Sequence, residues 1–340
     1  MSFQRQNNLD TSITGEASAR ADTVERGNEN APKDPTIMAK TNLTLELLLL
    51  ALLATLWGAS YTFIKIGVET IPPVTLIAAR TLIAGTILLV VLRMRGVRLP
   101  RDAATWKRFL FQACLNSVFP FTLIAWAEQT IDAGVASILN AATPIFAFLL
   151  TALITRHEAA TPRKLIGVIA GMAGISLIIG VEAFGGIGDQ LLPQFAVVFA
   201  TVCYAGAAIF GKNFRGLDPM VPAAGSLLSG AVLLIPASLV IDQPWTLAPS
   251  APSVMALVCL SVFSTALAFA IYFRLIQTLG SVGATAQAYL RVPVGVGIGV
   301  LFLGERLSDT IWIGLACVVI GVAAMTIPAR RTSAVIIERS

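Results

Sequence analysis

The chain has 340 residues, of which 56% are apolar and only 13% are charged, and its mean hydropathy is +0.80. A soluble domain carries about 25% charged residues, so this composition excludes an ordinary soluble fold. A single histidine and four cysteines without a C-x-x-C pair indicate neither a disulfide framework nor a metal site. The composition predicts a protein that crosses the lipid bilayer several times.

The first 42 residues differ from the rest of the chain. They hold five basic and six acidic side chains and almost no aromatic residues, which predicts a disordered cytoplasmic tail. No apolar segment comes early enough to be a signal peptide. One alternative stays open, namely that translation starts at Met38 and that residues 1–37 are not made.

Ten continuous apolar stretches follow, each close to the roughly 20 residues that a membrane-spanning helix needs. Helices satisfy their own backbone groups in lipid, so the predicted fold class is all-α, an integral membrane protein of ten transmembrane helices. The stretches run over 44–66, 74–93, 109–128, 133–155, 164–182, 191–211, 218–241, 254–274, 282–303 and 310–328. Residues 329–340 are predicted to form a cytoplasmic C-terminal tail.

Charges alternate between successive loops, and basic residues favour the cytoplasmic side. The basic loops carry Arg93, Arg95, Arg98, Arg101, Lys107 and Arg108, then Arg156, Arg163 and Lys164, then Lys212 and Arg215, and finally Arg330 and Arg331. The alternate loops carry mainly Glu69, Glu128, Asp132, Glu182, Asp189 and Asp242. This pattern predicts that both termini are cytoplasmic, in the inner membrane. It also attributes the net charge of +5 to topology, and nucleic-acid binding is not expected.

The two halves of the chain resemble each other at a nearly constant offset of 147 to 149 positions. The matching pairs are Trp57 with Tyr204, Lys65 with Lys212, Glu158 with Glu305, Gly167 with Gly314, Gly174 with Gly321, Gly134 with Gly283 and Pro144 with Pro293. The repeats are predicted at 43–182 and 190–328. Each holds five spans, an odd number, so the second must lie inverted relative to the first, as in many secondary transporters.

Three of these segments resemble a known family. They are the stretch from Trp57 to Lys65, the stretch from Ala136 to Pro144 followed by Glu158, and Gly304-Glu305 before the last span. Together they are similar to the EamA-type drug/metabolite transporters over about residues 43–328. The resemblance implies ten helices in two inverted five-helix repeats, a central cavity, and export or exchange of small metabolites.

Arginine inside apolar spans is the clearest candidate for substrate binding. Arg291 lies about ten positions into the ninth span, near 15 Å deep at 1.5 Å per residue, where a charge costs from about 2.5 kcal/mol upward. Arg80 lies about 10 Å into the second span by the same measure. No aspartate or glutamate reaches a comparable depth in the sequence. We therefore expect Arg291, with Arg80, to attract a carboxylate or phosphate group of a small-molecule substrate, while snorkelling to the membrane surface is the structural alternative.

Other side chains complete the predicted cavity. The polar and aromatic candidates are Trp57, Asn116, Trp126, Asn140, Tyr204, Tyr272, Gln287 and Tyr289. Pro144 and Pro293 are candidates for helix breaks, which can expose backbone groups to substrate. For Glu158 and Glu305, which precede helix starts, a structural role is favoured over gating.

The function predicted from sequence is a secondary transporter working by alternating access, exporting or exchanging an amino acid or another solute that bears an anionic group. A drug-efflux carrier for lipophilic compounds is the first alternative. A membrane enzyme or a non-transporting membrane protein is less favoured, because one histidine and no deep carboxylate offer no reactive group. No cofactor is expected.

Overall fold

The computed structural model describes residues 43–152, 162–185, 190–214, 216–272, 274–275, 278 and 287–326. The chain divides into two units, residues 1–45 and 46–340, and the account below concerns the second. The predicted tails at 1–42 and 329–340, the start at Met38 and the position of Glu158 lie outside the described residues. Within the described ranges the chain is helical and contains no strand.

We label the described helices α1 to α10 in chain order. They are α1 (Leu43–Gly67), α2 (Pro73–Met94), α3 (Ala103–Ala127), α4 (Ala133–Leu150), α5 (Pro162–Gly185), α6 (Leu191–Phe214), α7 (Met220–Ile241), α8 (Ala251–Tyr272), α9 (Gln287–Leu303) and α10 (Asp309–Thr326). Seven of these helices, α1 to α4 and α6 to α8, are long and apolar enough to cross a membrane. The other three carry shorter apolar stretches, Leu165–Ile178, Leu290–Leu303 and Asp309–Gly321.

Two helices begin earlier than their apolar stretches, because side-chain caps define their first turns. The Asp102 carboxylate accepts a hydrogen bond from the Thr105 backbone N–H at 2.8 Å, so α3 begins at Ala103 rather than at 109. Ser250 accepts from the Ser253 backbone N–H at 3.3 Å, and α8 begins at Ala251 rather than at 254. An N-cap side chain satisfies one of the free donors of the first turn. A helix can therefore begin in polar sequence, ahead of its apolar stretch.

Both α3 and α8 contain a widened turn of π-helix. The turns lie at Cys114–Val118 in α3 and at Val262–Leu267 in α8, which are equivalent positions in the two predicted repeats. Such bulges often occur at functional sites. Composition gives no sign of them, so sequence reasoning missed both.

The two candidate helix breaks have different outcomes. In α4 the helix is interrupted by a turn at Ala141 and Ala142, directly before Thr143 and Pro144. In α9 the helix runs through Pro293 without interruption, and a bend at this residue stays a prediction. Proline removes one backbone donor, and a helix packed among neighbours can tolerate that loss.

Helices at equivalent positions of the two halves pack against each other. The pairs α2 with α7, α4 with α9 and α5 with α10 are all in contact. Small residues bring α5 and α10 close together: a Cβ on Gly174 would lie 2.7 Å from the Gly314 carbonyl oxygen, and one on Gly321 would lie 2.6 Å from the Gly167 carbonyl oxygen. This is the small-residue packing expected between membrane helices.

Candidate functional site: a cationic cavity between the helices

A cavity of about 370 Å³ lies inside the helix bundle. Eight of the ten side chains predicted for a substrate cavity line it, namely Arg291, Arg80, Trp57, Asn116, Asn140, Tyr204, Tyr272 and Gln287. Trp126 does not line it and is exposed, and the side chain of Tyr289 lies outside the described residues. Residues far apart in the sequence therefore share one cavity, and their binding of substrate stays a prediction.

Arg80 is held rigidly in the cavity wall. Its side chain is only 5% exposed, and its Nε donates a hydrogen bond of 2.9 Å to the Thr265 hydroxyl. The guanidinium carbon lies 3.8 Å from the centre of the Phe121 ring, a cation–π contact. The Thr265 hydroxyl donates in turn to the Leu260 carbonyl at 2.8 Å, across the widened turn of α8. The π segment thus positions the group that holds Arg80.

Arg291 lies on α9 where this helix crosses α1. A Cβ on Gly58 would lie 2.9 Å from the Arg291 carbonyl oxygen and 3.0 Å from the Gly295 nitrogen, so the two backbones approach closely. The buried Nε of Arg291 has no hydrogen-bond partner among the described residues. Arg291 thus lines the cavity with an Nε that bonds to no described residue, whereas the Nε of Arg80 is bonded to Thr265.

Aromatic and amide groups form the rest of the wall. The Trp57 ring packs against Tyr272 at 5.3 Å and Phe269 at 6.1 Å between ring centres. The Asn140 amide donates a hydrogen bond to the Tyr61 hydroxyl. This wall offers flat apolar surface beside fixed polar groups, as small-molecule sites commonly do.

Several polar atoms of the lining have no partner. Ser264 Oγ and Gln287 Oε1 are buried without a hydrogen bond among the described residues. The described lining contains two arginines and neither an aspartate nor a glutamate. The cavity therefore has the electrostatics to accept an anion, together with acceptors for a second polar group.

One end of the bundle is closed by contacts on the α3–α4 loop, residues 128–132. The Lys65 ammonium, at the end of α1, donates hydrogen bonds of 2.8 Å to the backbone carbonyls of Glu128 and Ile131. From the segment between α9 and α10, the Glu305 carboxylate accepts from the Ala133 N–H at 2.7 Å and the Gly134 N–H at 2.9 Å. An anion at a helix N-terminus is stabilising, so Glu305 joins the last helices of the chain to the start of α4.

Local sequence explains how Glu305 reaches α4. Gly304 has φ +68° and turns the chain sharply after α9, a conformation that glycine adopts readily. A Cβ on Gly134 would lie 2.9 Å from the Glu305 carboxylate, and one on Gly299 would also collide with it. Burial raises the pKa of the Glu305 carboxyl, although the two backbone N–H donors oppose this effect.

Two carboxyl groups that the sequence places at span ends are nonetheless buried. Glu46 is 2% exposed and pairs with Arg274 at 3.0 Å, and it also accepts from the Thr278 hydroxyl at 2.9 Å. Glu128 is 0% exposed, and neither carboxyl oxygen has a hydrogen-bond partner among the described residues. Distance along a span is thus a poor measure of burial. Sequence reasoning missed the burial of Glu128 because this residue lies in a polar loop.

No group of three or more His, Cys, Asp or Glu that could hold a metal ion occurs within the described parts of the chain.

A bundle of apolar helices around a cavity that holds a few fixed polar groups is the architecture of a multi-pass membrane transporter. The EamA-like transporter family model matches the chain twice, at residues 44–180 and 191–327. The chain therefore belongs to the EamA-like transporter family, in which it carries the family domain in two copies.

Several known proteins are similar to the chain. The uncharacterized inner membrane transporter YedA of Escherichia coli K12 is 28% identical over 274 residues, which cover 80% of this chain and 87% of YedA. A probable terminal-alkyne amino-acid exporter of Streptantibioticus cattleyicolor is 26% identical over 288 residues, which cover 83% of this chain and 93% of the exporter. A protein of known crystal structure shares the fold with a TM-score of 0.59 at 21% identity, over 83% of this chain and 96% of its own.

Proposed function

We propose that this membrane transporter moves a small metabolite with an anionic group, an amino acid or another carboxylate, by alternating access, as an exporter or exchanger. The observation that carries this proposal is the cavity with two arginines and no acidic residue in its described lining. Burying an unpaired charge is costly, and a carboxylate on the solute would supply the missing counter-charge. Charge-assisted hydrogen bonds from arginine to a carboxylate are among the strongest in proteins.

The other lining groups suit an amino acid. The Gln287 and Ser264 oxygens bond to none of the described residues, and Trp57 and Tyr272 line the same space. Acceptors and aromatic faces both attract an ammonium group. The name of the Streptantibioticus relative, which refers to amino-acid export, agrees with this substrate class.

We also propose ten transmembrane helices in two inverted repeats, at 43–182 and 190–328. Helix packing supports the repeats, because a contact between two helices has a counterpart between the equivalent helices of the other half. Helix α3 packs on α7 as α8 packs on α2, and α4 packs on α9, its own equivalent. Inverted repeats support alternating access because the two halves can exchange conformations.

Contacts between helix ends support the ten crossings. If each of the ten helices crosses the membrane once, the two helix ends of every contacting pair lie on the same side of the membrane. On one side, the Asp242 carboxylate accepts a hydrogen bond from the Thr75 N–H at 2.7 Å. The bonds of Lys65 to the α3–α4 loop and of Glu305 to the start of α4 belong to the same side. At the other, Arg95 pairs with Asp218 at 3.2 Å and Arg274 with Glu46. The basic loops make the second side cytoplasmic, with both termini on it, in the inner membrane.

Reconstitution into proteoliposomes tests the proposal. Loaded vesicles are assayed for counterflow of radiolabelled amino acids, monocarboxylates and dicarboxylates, with matched uncharged amides as controls. We expect saturable exchange of at least one carboxylate and none of its amide. Arg291→Ala should abolish this preference, whereas Arg98→Ala, at an exposed arginine outside the cavity, should leave it unchanged. Exchange that persists in Arg291→Ala with the same preference for acids contradicts the proposal.

Efflux of lipophilic compounds is the second candidate, because aromatic rings occupy much of the lining. A drug carrier would exchange neutral or cationic lipophilic compounds, and removal of either arginine would leave that exchange intact. The same vesicles, challenged with a lipophilic cation such as tetraphenylphosphonium, distinguish the two.

A further inference from the structure

Glu128, the residue after α3, has a carboxyl group that is fully buried, and neither carboxyl oxygen has a hydrogen-bond partner among the described residues. Glu128 begins the α3–α4 loop, and that loop is held in place by the contacts of Lys65 with it and of Glu305 with the start of α4. Arg80, which lines the cavity, is near enough to act on the Glu128 carboxyl electrostatically. The carboxyl is therefore shielded from water and coupled by charge to the cavity proposed for the substrate.

The charged groups near Glu128 lie on several different segments of the chain. Lys65 of α1, Arg80 of α2 and Glu305 of the α9–α10 segment all act on the carboxyl electrostatically. Lys65 directs its ammonium to backbone carbonyls of the loop, and the Arg80 Nε is bonded to Thr265. Asp132, in the same loop, adds a negative charge that acts on Glu305. None of these groups bonds to the Glu128 carboxyl oxygens.

We propose that Glu128 is a proton-binding site of the transporter, protonated while the α3–α4 loop to which it belongs is closed, and that its proton and the substrate anion bind together. A neutral carboxylic acid can lie in an apolar site where a carboxylate cannot. The proton comes from water when the loop opens and is held by the carboxyl when the loop closes.

The direction of the pH dependence follows from burial. Desolvation raises the pKa of the Glu128 carboxyl well above its ordinary value, and Lys65 only partly opposes this. The closed state thus binds a proton that the open, hydrated state releases near the ordinary pKa of glutamate. Acid therefore favours closure of the loop, and in the window above the ordinary pKa, rising pH favours opening.

The link to substrate rests on the proposed function. An anion bound at Arg80 and Arg291 cancels positive charge near Glu128 and so increases its proton affinity. By reciprocity, a protonated Glu128 increases affinity for the anion. Proton and anion then cross together, so a pH gradient imposed on vesicles should concentrate the solute on the alkaline side. Of the two modes proposed above, this coupling fits exchange rather than export into an acidic medium.

The first test needs no substrate. Infrared difference spectra of the full-length protein in lipid nanodiscs, titrated with acid and base, report the carbonyl band of a protonated carboxyl group. We expect this band at neutral pH in the natural protein and in Glu69→Gln, which alters an exposed carboxyl on the same side, and its loss in Glu128→Gln. Should Glu128→Gln misfold, Glu128→Asp keeps a titrating group and should move the band's pH midpoint. A band that survives in Glu128→Gln, or no band at neutral pH, overturns the proposal.

The second test uses transport in the proteoliposomes described above. Glu128→Gln should still exchange the carboxylate solute but should lose its accumulation on the alkaline side, while Glu69→Gln retains both. Accumulation unchanged in Glu128→Gln overturns the proton site alone. Absence of any carboxylate exchange in the natural protein overturns the proposed function instead, and the infrared band still decides the proton site.

Discussion

The two arginines of the cavity differ in how firmly the protein holds their side chains before an anion binds. Arg80 is fixed by the Thr265 hydroxyl and the Phe121 ring, so its guanidinium has little freedom to lose on binding. Arg291 has a donor that bonds to no residue in the described part of the chain, so its side chain can adjust to the solute. We infer that Arg80 supplies a fixed positive charge and that Arg291 makes the adaptable contact.

Lysine substitution separates these two roles. Arg80→Lys keeps the charge but loses the planar group that bonds Thr265 and stacks on Phe121. A lysine at this position is no longer fixed by Thr265, so its charge is misplaced for the solute and the KM for exchange should rise, about tenfold for each ~1.4 kcal/mol of binding free energy that is lost. Arg291→Lys should raise KM less. The comparison of KM in proteoliposomes checks this, and an equal effect of both substitutions would contradict it.

At this same scale, the sequence predicts cavity residues better than it predicts burial. Arg80, Arg291, Asn140 and Gln287 stand out because polar groups are rare inside apolar spans, and all four line the cavity. Glu128 could not be recognised, because its burial comes from loop closure by Lys65 and Glu305. Those partners lie 63 and 177 positions away in the chain, and no local pattern connects them.

Among the helices, the crossing of α1 and α9 sets the shape of the cavity. Gly58 faces backbone atoms of Arg291 and Gly295, which cannot move aside as a flexible side chain can. Trp57, next to Gly58, and Arg291 both line the cavity. The crossing therefore fixes the distance between an aromatic wall and a cationic group.

Alanine substitution tests this crossing against a matched glycine of the same helix pair. Gly58→Ala should destabilise the protein by about 1–3 kcal/mol through overpacking and should reduce exchange. Gly297, on α9, has open space around it, so Gly297→Ala should be neutral or stabilising by up to about 1 kcal/mol. Thermal unfolding in detergent measures both. A Gly58→Ala protein as stable as the Gly297→Ala protein would show that the crossing is not tight.

Helix positions follow from apolar length, but helix ends and irregular turns do not. The starts of α3 and α8 depend on the caps at Asp102 and Ser250, polar residues outside the apolar stretches. Pro293 suggests a break by its covalent structure, yet α9 continues through it. Whether a helix breaks or continues at a proline depends on the packing of neighbouring helices.

For the whole molecule, the proposed topology makes a prediction about accessibility. In a background with the four native cysteines replaced by alanine, Thr130→Cys and Thr246→Cys should react in intact cells with a membrane-impermeant thiol reagent. Arg98→Cys, between α2 and α3, should react only after the membrane is permeabilised. All three positions are exposed, so sidedness alone determines the result. Labelling of Arg98→Cys in intact cells would contradict a cytoplasmic N-terminus.

The widened turns of α3 and α8 also bear on the history of the chain. Each contributes a polar side chain to the cavity, Asn116 from one and Ser264 from the other, 148 positions apart. Two independent one-residue insertions at matching places are a less economical origin than one inherited insertion. A widened turn in one ancestral half, duplicated afterwards, accounts for both turns by a single event.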